Sequence, residues 1–469
     1  MIFQRIEFIL LFILVFFVYW LLEHKYQNRF LLIASYIFCA LSDVKYLFLL
    51  IIQSLASFIS GICINKYPRY AKIILFFSIG INLSMLGFYK YYNFFVENIN
   101  NLISHISGFS SIPLLQIMLP VGISFYTFQN IGYIIDVFRK TTSPCTDIIN
   151  YGLFASFFPK FIAGPIERSS NLLCQIGLPR TINIVSLVDG LYLILWGYFQ
   201  KFVIADNISV ICKKIFLLEN PSFFILCAGA FAFTIQIFSD FSGYTDLARG
   251  YAKLLGFDLL KNFNNPYFAT SPSDFWRRWH MSLSQWIRDY IYIPLGGSRV
   301  STIKWIIVLF ITFSITGLWH GASWNFILWG LYYWLLYLLY RGWNAFVPGF
   351  IKNLRYGTLV SIPLMFIFTN LGWLIFKETD SAYLWKYFTI SIYDWDSAQL
   401  LPAVYLICYT FIYSLPLFIV SVFMFCRENG ANLTFYNRVY FKIVLIPLLL
   451  LSILLFKSTK SSEFIYFNF

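Results

Sequence analysis

Apolar residues in this chain come in long blocks, near 6–22, 30–42, 45–64, 73–92, 114–137, 186–205, 221–239, 303–318, 323–341, 356–376, 402–425 and 440–457. A hydrocarbon core about 30 Å thick takes roughly 20 apolar residues in helical form. Each block therefore predicts a membrane-crossing helix, although 30–42 is short and reads with 45–64 as a bent hairpin. Segments near 151–166 and 275–295 are apolar but interrupted by Pro, Arg or Asp. They read as re-entrant or interfacial pieces, whose backbone groups need protein or a watery cavity to satisfy them. The predicted fold is all-α integral membrane, with about 11 transmembrane helices plus re-entrant and interfacial helices.

Composition agrees. Of 469 residues, 59% are hydrophobic, 22% aromatic and 12% charged, against about 25% charged in an ordinary soluble chain. Mean hydropathy is +0.71, more apolar surface than one water-soluble core hides. The first block carries Arg5 and Glu7 at its start and is followed by Leu22, Glu23, His24 and Lys25, with no small-residue cleavage site. It reads as a retained helix and not as a signal peptide. With no 20–50-residue repeat, no glycine-rich phosphate loop and no soluble domain in view, 1–469 reads as a single membrane domain.

A net charge of +13 would suggest nucleic acid in a soluble protein. Here basic loops against anionic membrane lipid explain it, and no nucleic-acid partner is expected. Lys66, Arg69 and Lys72 fall in loop 65–72, and Arg139 and Lys140 in loop 138–149. The stretch 93–113 has Glu97 and no Lys or Arg. The alternation puts the two basic loops inside and 93–113 outside. The eight cysteines show no Cys-x-x-Cys pair and no cluster with histidine, so neither a disulfide framework nor a metal site is expected.

Ionisable groups inside apolar segments are costly and become functional candidates. One concentration runs from Gln236 to Arg299. It contains Asp240 and Asp246, then Ser273-Asp274-Phe275-Trp276-Arg277-Arg278-Trp279-His280. A helix over 273–290 would put Trp276 and His280 on one face, as it would Arg277 and Met281, with Asp274 favourably near its N-terminus. The plainer alternative is an interfacial helix with tryptophan anchors. The second concentration is Gly317-Leu318-Trp319-His320-Gly321. Its glycines allow close backbone approach and leave room beside the imidazole, and Trp324, one turn on, is a candidate wall. His280 and His320 are the two histidines in unusual settings. A neutral imidazole is a natural base for activating a hydroxyl.

The stretches Leu119–Gln129, Phe158–Ile166, Asp240–Asp246, Asp274–Pro294 and Gly317–Gly321 together resemble the membrane-bound O-acyltransferase family. The nearest branch is that of bacterial alginate and peptidoglycan O-acetylation membrane proteins. The resemblance implies a helical bundle around a central tunnel, with an acyl donor (acetyl-CoA) entering from the cytoplasmic side and no bound cofactor. It implies that His320 is catalytic and that His280 is the other motif histidine. Asp240, Asp246, Asp274, Trp276, Arg277, Arg278, Trp279 and Trp319 are the candidate tunnel or donor-binding residues.

The chain closes on Glu463-Phe464-Ile465-Tyr466-Phe467-Asn468-Phe469, similar to the short aromatic tail of that branch. The tail 458–469 is expected to carry acyl-relay chemistry through Tyr466, bending back by a flexible link over 457–462. A phenol with a pKa of about 10 holds an acyl ester and still passes it on to a sugar. The branch implies a periplasmic serine-hydrolase-like O-acetyltransferase as partner, the cytoplasmic (inner) membrane as location, and peptidoglycan as first acceptor, with alginate or another exopolysaccharide second. The alternatives of other classes are a proton-coupled transporter or flippase and a lipid-anchoring scaffold protein without chemistry.

Overall fold

The computed structural model describes residues 3–104, 110–162, 164–219, 221–346, 357–390, 396–430, 439–460 and 462–465. The protein is all-helical, with no strand among the described residues. Among the described residues, eight helices are long and apolar enough to cross a membrane: Val44–Lys66, Pro68–Ile103, Ile184–Ile215, Phe223–Leu254, Thr302–His320, Gly357–Lys377, Ser397–Glu428 and Val439–Phe456. Four expected spans fall short of this measure, among them 30–42 and 114–137, where the helices His24–Ala40 and Ile123–Phe138 have 17 and 16 residues. Ile6–Leu21 is apolar but shorter. Trp324–Phe346 is 23 residues long, but its Tyr, Trp and Asn content lowers its hydropathy. The chain divides into two compact units, Met1–Leu191 with Leu247–Leu260, and Tyr192–Asp246 with Lys261–Phe469.

In the first unit, buried polar side chains join helices to one another. Gln53 Nε2 donates to Thr127 Oγ1 at 3.1 Å and to the Asn82 carbonyl at 3.1 Å, and Asn82 Nδ2 donates to Ser57 Oγ at 3.1 Å. Such bonds hold helices together where lipid gives no hydrophobic drive between them. Two expectations change here. The connection expected over 93–113 is helical as far as Ile103, and the span expected over 114–137 becomes helical only at Ile123. Pro113 and Pro120 explain the delay, since proline lacks the N–H and holds its predecessor out of the α region. Asn100 pairs with both the N–H (2.8 Å) and the carbonyl (2.9 Å) of Ile112. Asn93 does the same for Leu115, at 3.0 and 2.8 Å, so side-chain amides satisfy this non-helical run.

The second unit contains every site residue singled out above that lies among the described residues. Its helices Thr302–His320 and Trp324–Phe346 meet backbone to backbone. A Cβ on Gly317 would come 2.2 Å from the Phe326 carbonyl oxygen, and one on Gly330 2.2 Å from that of Phe313. Only glycine fits at either position.

Candidate active site

The segment around His280 is built as a broken helix. Ser271 caps it by accepting from Asp274 N at 3.1 Å, Pro272 occupies the first helical position, and Asp274 Oδ2 accepts from Thr270 N at 3.1 Å. Ser271 thus caps the first turn, and Asp274 reaches back to the residue before the cap. The other Asp274 oxygen accepts from Arg278 Nε at 2.9 Å, and Arg278 Nη1 reaches Glu428 Oε2 at 2.9 Å. Asp274 and Arg278 therefore secure the helix Pro272–Arg278.

The continuous helix expected over 273–290 does not form. It stops after Arg278, and a second helix, Met281–Ile287, starts after His280. His280 takes φ +40° and ψ +55°, a left-handed conformation that costs a non-glycine residue about 1–2 kcal/mol. Asn262 is the cause. Its carbonyl accepts from Met281 N at 2.8 Å, and its Oδ1 accepts from Ser282 Oγ at 2.6 Å. The Met281 amide, which an unbroken helix would bond to Arg277, is diverted to the Asn262 loop. The face shared by Trp276 and His280 in a regular helix is lost, and His280 turns into the interior. Strain of this kind gathers at functional sites.

His320 ends the helix Thr302–His320, and the glycine contacts of that hairpin set its place. The room expected beside its imidazole is filled: a Cβ on Gly321 would lie 2.1 Å from the Phe326 ring. Trp324 is 57% exposed and does not wall the histidine. Trp329 does, with ring centroids 5.0 Å apart, together with Trp319 at 5.1 Å and Phe376 at 5.4 Å.

The two histidines are 0% and 3% exposed, and their ring centroids lie 6.5 Å apart. Trp319 touches both, at 5.5 Å from His280 and 5.1 Å from His320. Phe241 stands edge-on to His280 at 4.8 Å. Trp279 packs among Phe263, Phe275 and Trp373 and carries the aromatic layer outward. Burial lowers the His280 pKa and holds its imidazole neutral. A neutral imidazole in this setting offers one N–H and one acceptor nitrogen.

Behind this cage opens a cleft of about 380 Å³, lined by Trp276, Arg277, Arg288, Thr312, Phe313, Thr316 and neighbouring residues. Neither histidine lines it. Trp276 packs on Trp329 at 5.6 Å, and Trp329 packs on His320, so two rings separate cleft from imidazole. Thr316 lies one helical turn before His320. Arg277 and Arg288 are exposed and bring positive charge to the lining.

Asp240 belongs elsewhere, in a buried ionic cluster. Lys201 Nζ lies 2.8 Å from Asp240 Oδ1 and 2.9 Å from Asp206 Oδ1. Asp246 accepts from Gln200 Nε2 at 3.1 Å. The C-terminal segment returns to the same cluster. Ser462, expected in a flexible link, is buried and bonded to Asp206, and Phe464 lies 4.2 Å from Tyr244 and 5.9 Å from Phe241 by ring centroids. Tyr466, Phe467 and Phe469 lie outside the described residues.

The expected residues thus separate into an aromatic histidine cage (His280, His320, Trp319), an adjoining aromatic layer (Trp279), a cleft (Trp276, Arg277), a helix clasp (Asp274, Arg278) and the carboxylates Asp240 and Asp246. Sequence reasoning missed Lys201, Asp206, Trp329 and Phe376. Lys201 had a signal, because a charge inside the block 186–205 meets the same criterion that singled out Asp240. Among the described residues no group of three or more His, Cys, Asp or Glu side chains could hold a metal ion.

A model of the membrane-bound O-acyltransferase family matches residues 137–385. The chain is 37% identical over 408 residues to a probable alginate O-acetylase of Pseudomonas aeruginosa, covering 85% of this chain and 77% of the relative. It is 31% identical to the peptidoglycan O-acetyltransferase of Helicobacter pylori, covering 95% of this chain and 92% of the relative. To the teichoic acid D-alanyltransferase of Bacillus subtilis it is 30% identical, covering 55% of this chain and 68% of the relative.

Proposed function

Because the chain belongs to the membrane-bound O-acyltransferase family, we propose that this multi-pass O-acyltransferase takes an acetyl group from cytoplasmic acetyl-CoA and delivers it across the inner membrane for O-acetylation of peptidoglycan. The observation that carries this reading is the pair of buried histidines in one aromatic cage, with the C-terminal segment seated on the cage wall up to the residue before Tyr466.

His320 acts as base. It takes the phenolic proton of Tyr466 as the phenol oxygen attacks the thioester carbonyl. The tetrahedral intermediate collapses with cleavage of the C–S bond, and the thiolate of coenzyme A takes the proton back from His320, leaving an acetyl ester on Tyr466. His280, neutral, donates to the developing oxyanion. The cleft suits the phosphate-bearing end of the donor: its volume lies in the usual range for small-ligand sites, Arg277 and Arg288 match the phosphates of coenzyme A, and the thioester end has to pass Trp276 and Trp329 to reach His320. A periplasmic serine-hydrolase-like O-acetyltransferase then carries the acetyl group to the sugar.

Peptidoglycan stands first as acceptor because the match to the peptidoglycan enzyme runs through nearly the whole of both chains. Alginate or another exopolysaccharide is the second reading, favoured by the higher identity to the probable alginate O-acetylase. The relay is tested by Tyr466→Phe, which keeps the ring and removes the hydroxyl. The variant inserts normally but transfers no acetyl to polymer, and the acetylated tail peptide seen by mass spectrometry in wild type is missing. Polymer acetylation persisting in this variant would sink the relay.

A further inference from the structure

The helix Ile184–Ile215 carries a cation that the proposed reaction does not use. Lys201 lies in the π-helical stretch Phe199–Ala205, and Asp206 follows that stretch directly. A π turn brings residues five apart onto one side of a helix, where an α turn would splay them. Lys201 thus meets Asp206 on its own helix and Asp240 on Phe223–Leu254, all three at most 2% exposed. Two carboxylates against one ammonium leave a surplus of negative charge at depth, where unmet charge is costly.

The donors that answer it come from the far end of the chain. Asp206 Oδ1 accepts from Ser462 Oγ at 2.5 Å and from Ser462 N at 3.3 Å. Asp240 Oδ2 accepts from Ile465 N at 2.8 Å, and Lys201 Nζ donates to Ser462 Oγ at 3.1 Å. Between these bonds Phe464 drops its ring onto Tyr244 and Phe241, and Phe241 stands against His280.

We propose that Lys201, Asp206 and Asp240 form a binding site for a short peptide segment, filled by the chain's own residues 462–465, and that this seating sets where the residue after Ile465 stands relative to His280. The site recognises two backbone amides three residues apart, a hydroxyl on the first residue and a ring on the third. All three ionic residues are positioning residues. Their bearing on acyl transfer rests on the Tyr466 reading; the seating itself does not.

The test is digestion of the full-length protein in detergent with carboxypeptidase Y, which also releases proline, followed by intact mass. In wild type, trimming stalls at the seated residues. Asp240→Asn removes the acceptor charge, and Ile465→Pro removes the N–H that Asp240 accepts while leaving all three ionic residues in place. Ile465→Pro thus remains informative if Asp240→Asn misfolds. Both variants are trimmed back to the stretch 457–460 about tenfold faster or more, the scale of one lost hydrogen bond to a charged group. Wild-type trimming in Ile465→Pro overturns the site. A released tail with wild-type acetyl transfer in Ile465→Pro overturns its positioning role. Tyr466→Phe is trimmed like wild type whether or not the relay operates, so failure of the relay and failure of the seating give different results.

Discussion

His280 and His320 stand among rings, while Lys201, Asp206 and Asp240 stand among charges, and the two groups are equally withdrawn from solvent. Indole and phenyl edges surround the imidazoles at centroid distances of 4.8–5.5 Å. The ammonium sits at 2.8–2.9 Å from two carboxylates. A neutral imidazole in an apolar cage can donate or accept a hydrogen bond without stranding a partner charge. An ion pair inside the protein is committed to its partners, and moving one charge strands the others. Burial alone therefore does not distinguish the two groups; the nature of the neighbours does.

Substitutions on the two sides break the contrast in different ways. His320→Ala abolishes acyl transfer while the protein still inserts and unfolds near its wild-type temperature, because the cage of Trp319, Trp329 and Phe376 remains. Wild-type transfer rates in this variant would contradict the assignment. His280→Ala lowers the rate by about 10²–10⁴, the usual scale for losing a positioned donor or acid–base group. A double variant no worse than His320→Ala would mark the histidines as one unit, and an unchanged rate would make His280 a packing residue. Lys201→Met leaves two carboxylates facing each other and destabilises the fold by about 3–5 kcal/mol, read as earlier thermal unfolding in detergent. An unchanged unfolding temperature would show that the ionic cluster does not hold the structure.

Much of this was readable in advance, and the failures share a cause. The apolar blocks located most of the helices, because crossing a bilayer is dictated by length and composition within each segment. The two histidines stood out by the same local reasoning. What escaped depends on distant partners. The break at His280 is imposed by Asn262, 18 residues earlier, and no helix signal at 273–290 announces it. The wall beside His320 is Trp329 and not Trp324, since the hairpin turns Trp324 outward. Ser462 looked like linker because the carboxylate that binds it lies 256 residues away.

The glycine contacts between Thr302–His320 and Trp324–Phe346 bear on how this sequence can drift. Moving a Cβ on Gly317 from 2.2 Å to ordinary contact with the Phe326 carbonyl requires the helices to part by about 1 Å, a displacement that can cost about 10² in rate where geometry governs the chemistry. The main chains, and not the surrounding side chains, register His320. Outward-facing positions such as Ile303, Ile307 and Leu339, all more than half exposed, are free to exchange one apolar residue for another. Gly317 and Gly330 are not. The hairpin is permissive over most of its surface and intolerant at two points, so mutational scans should find loss of activity at these glycines as sharp as at the histidine they hold.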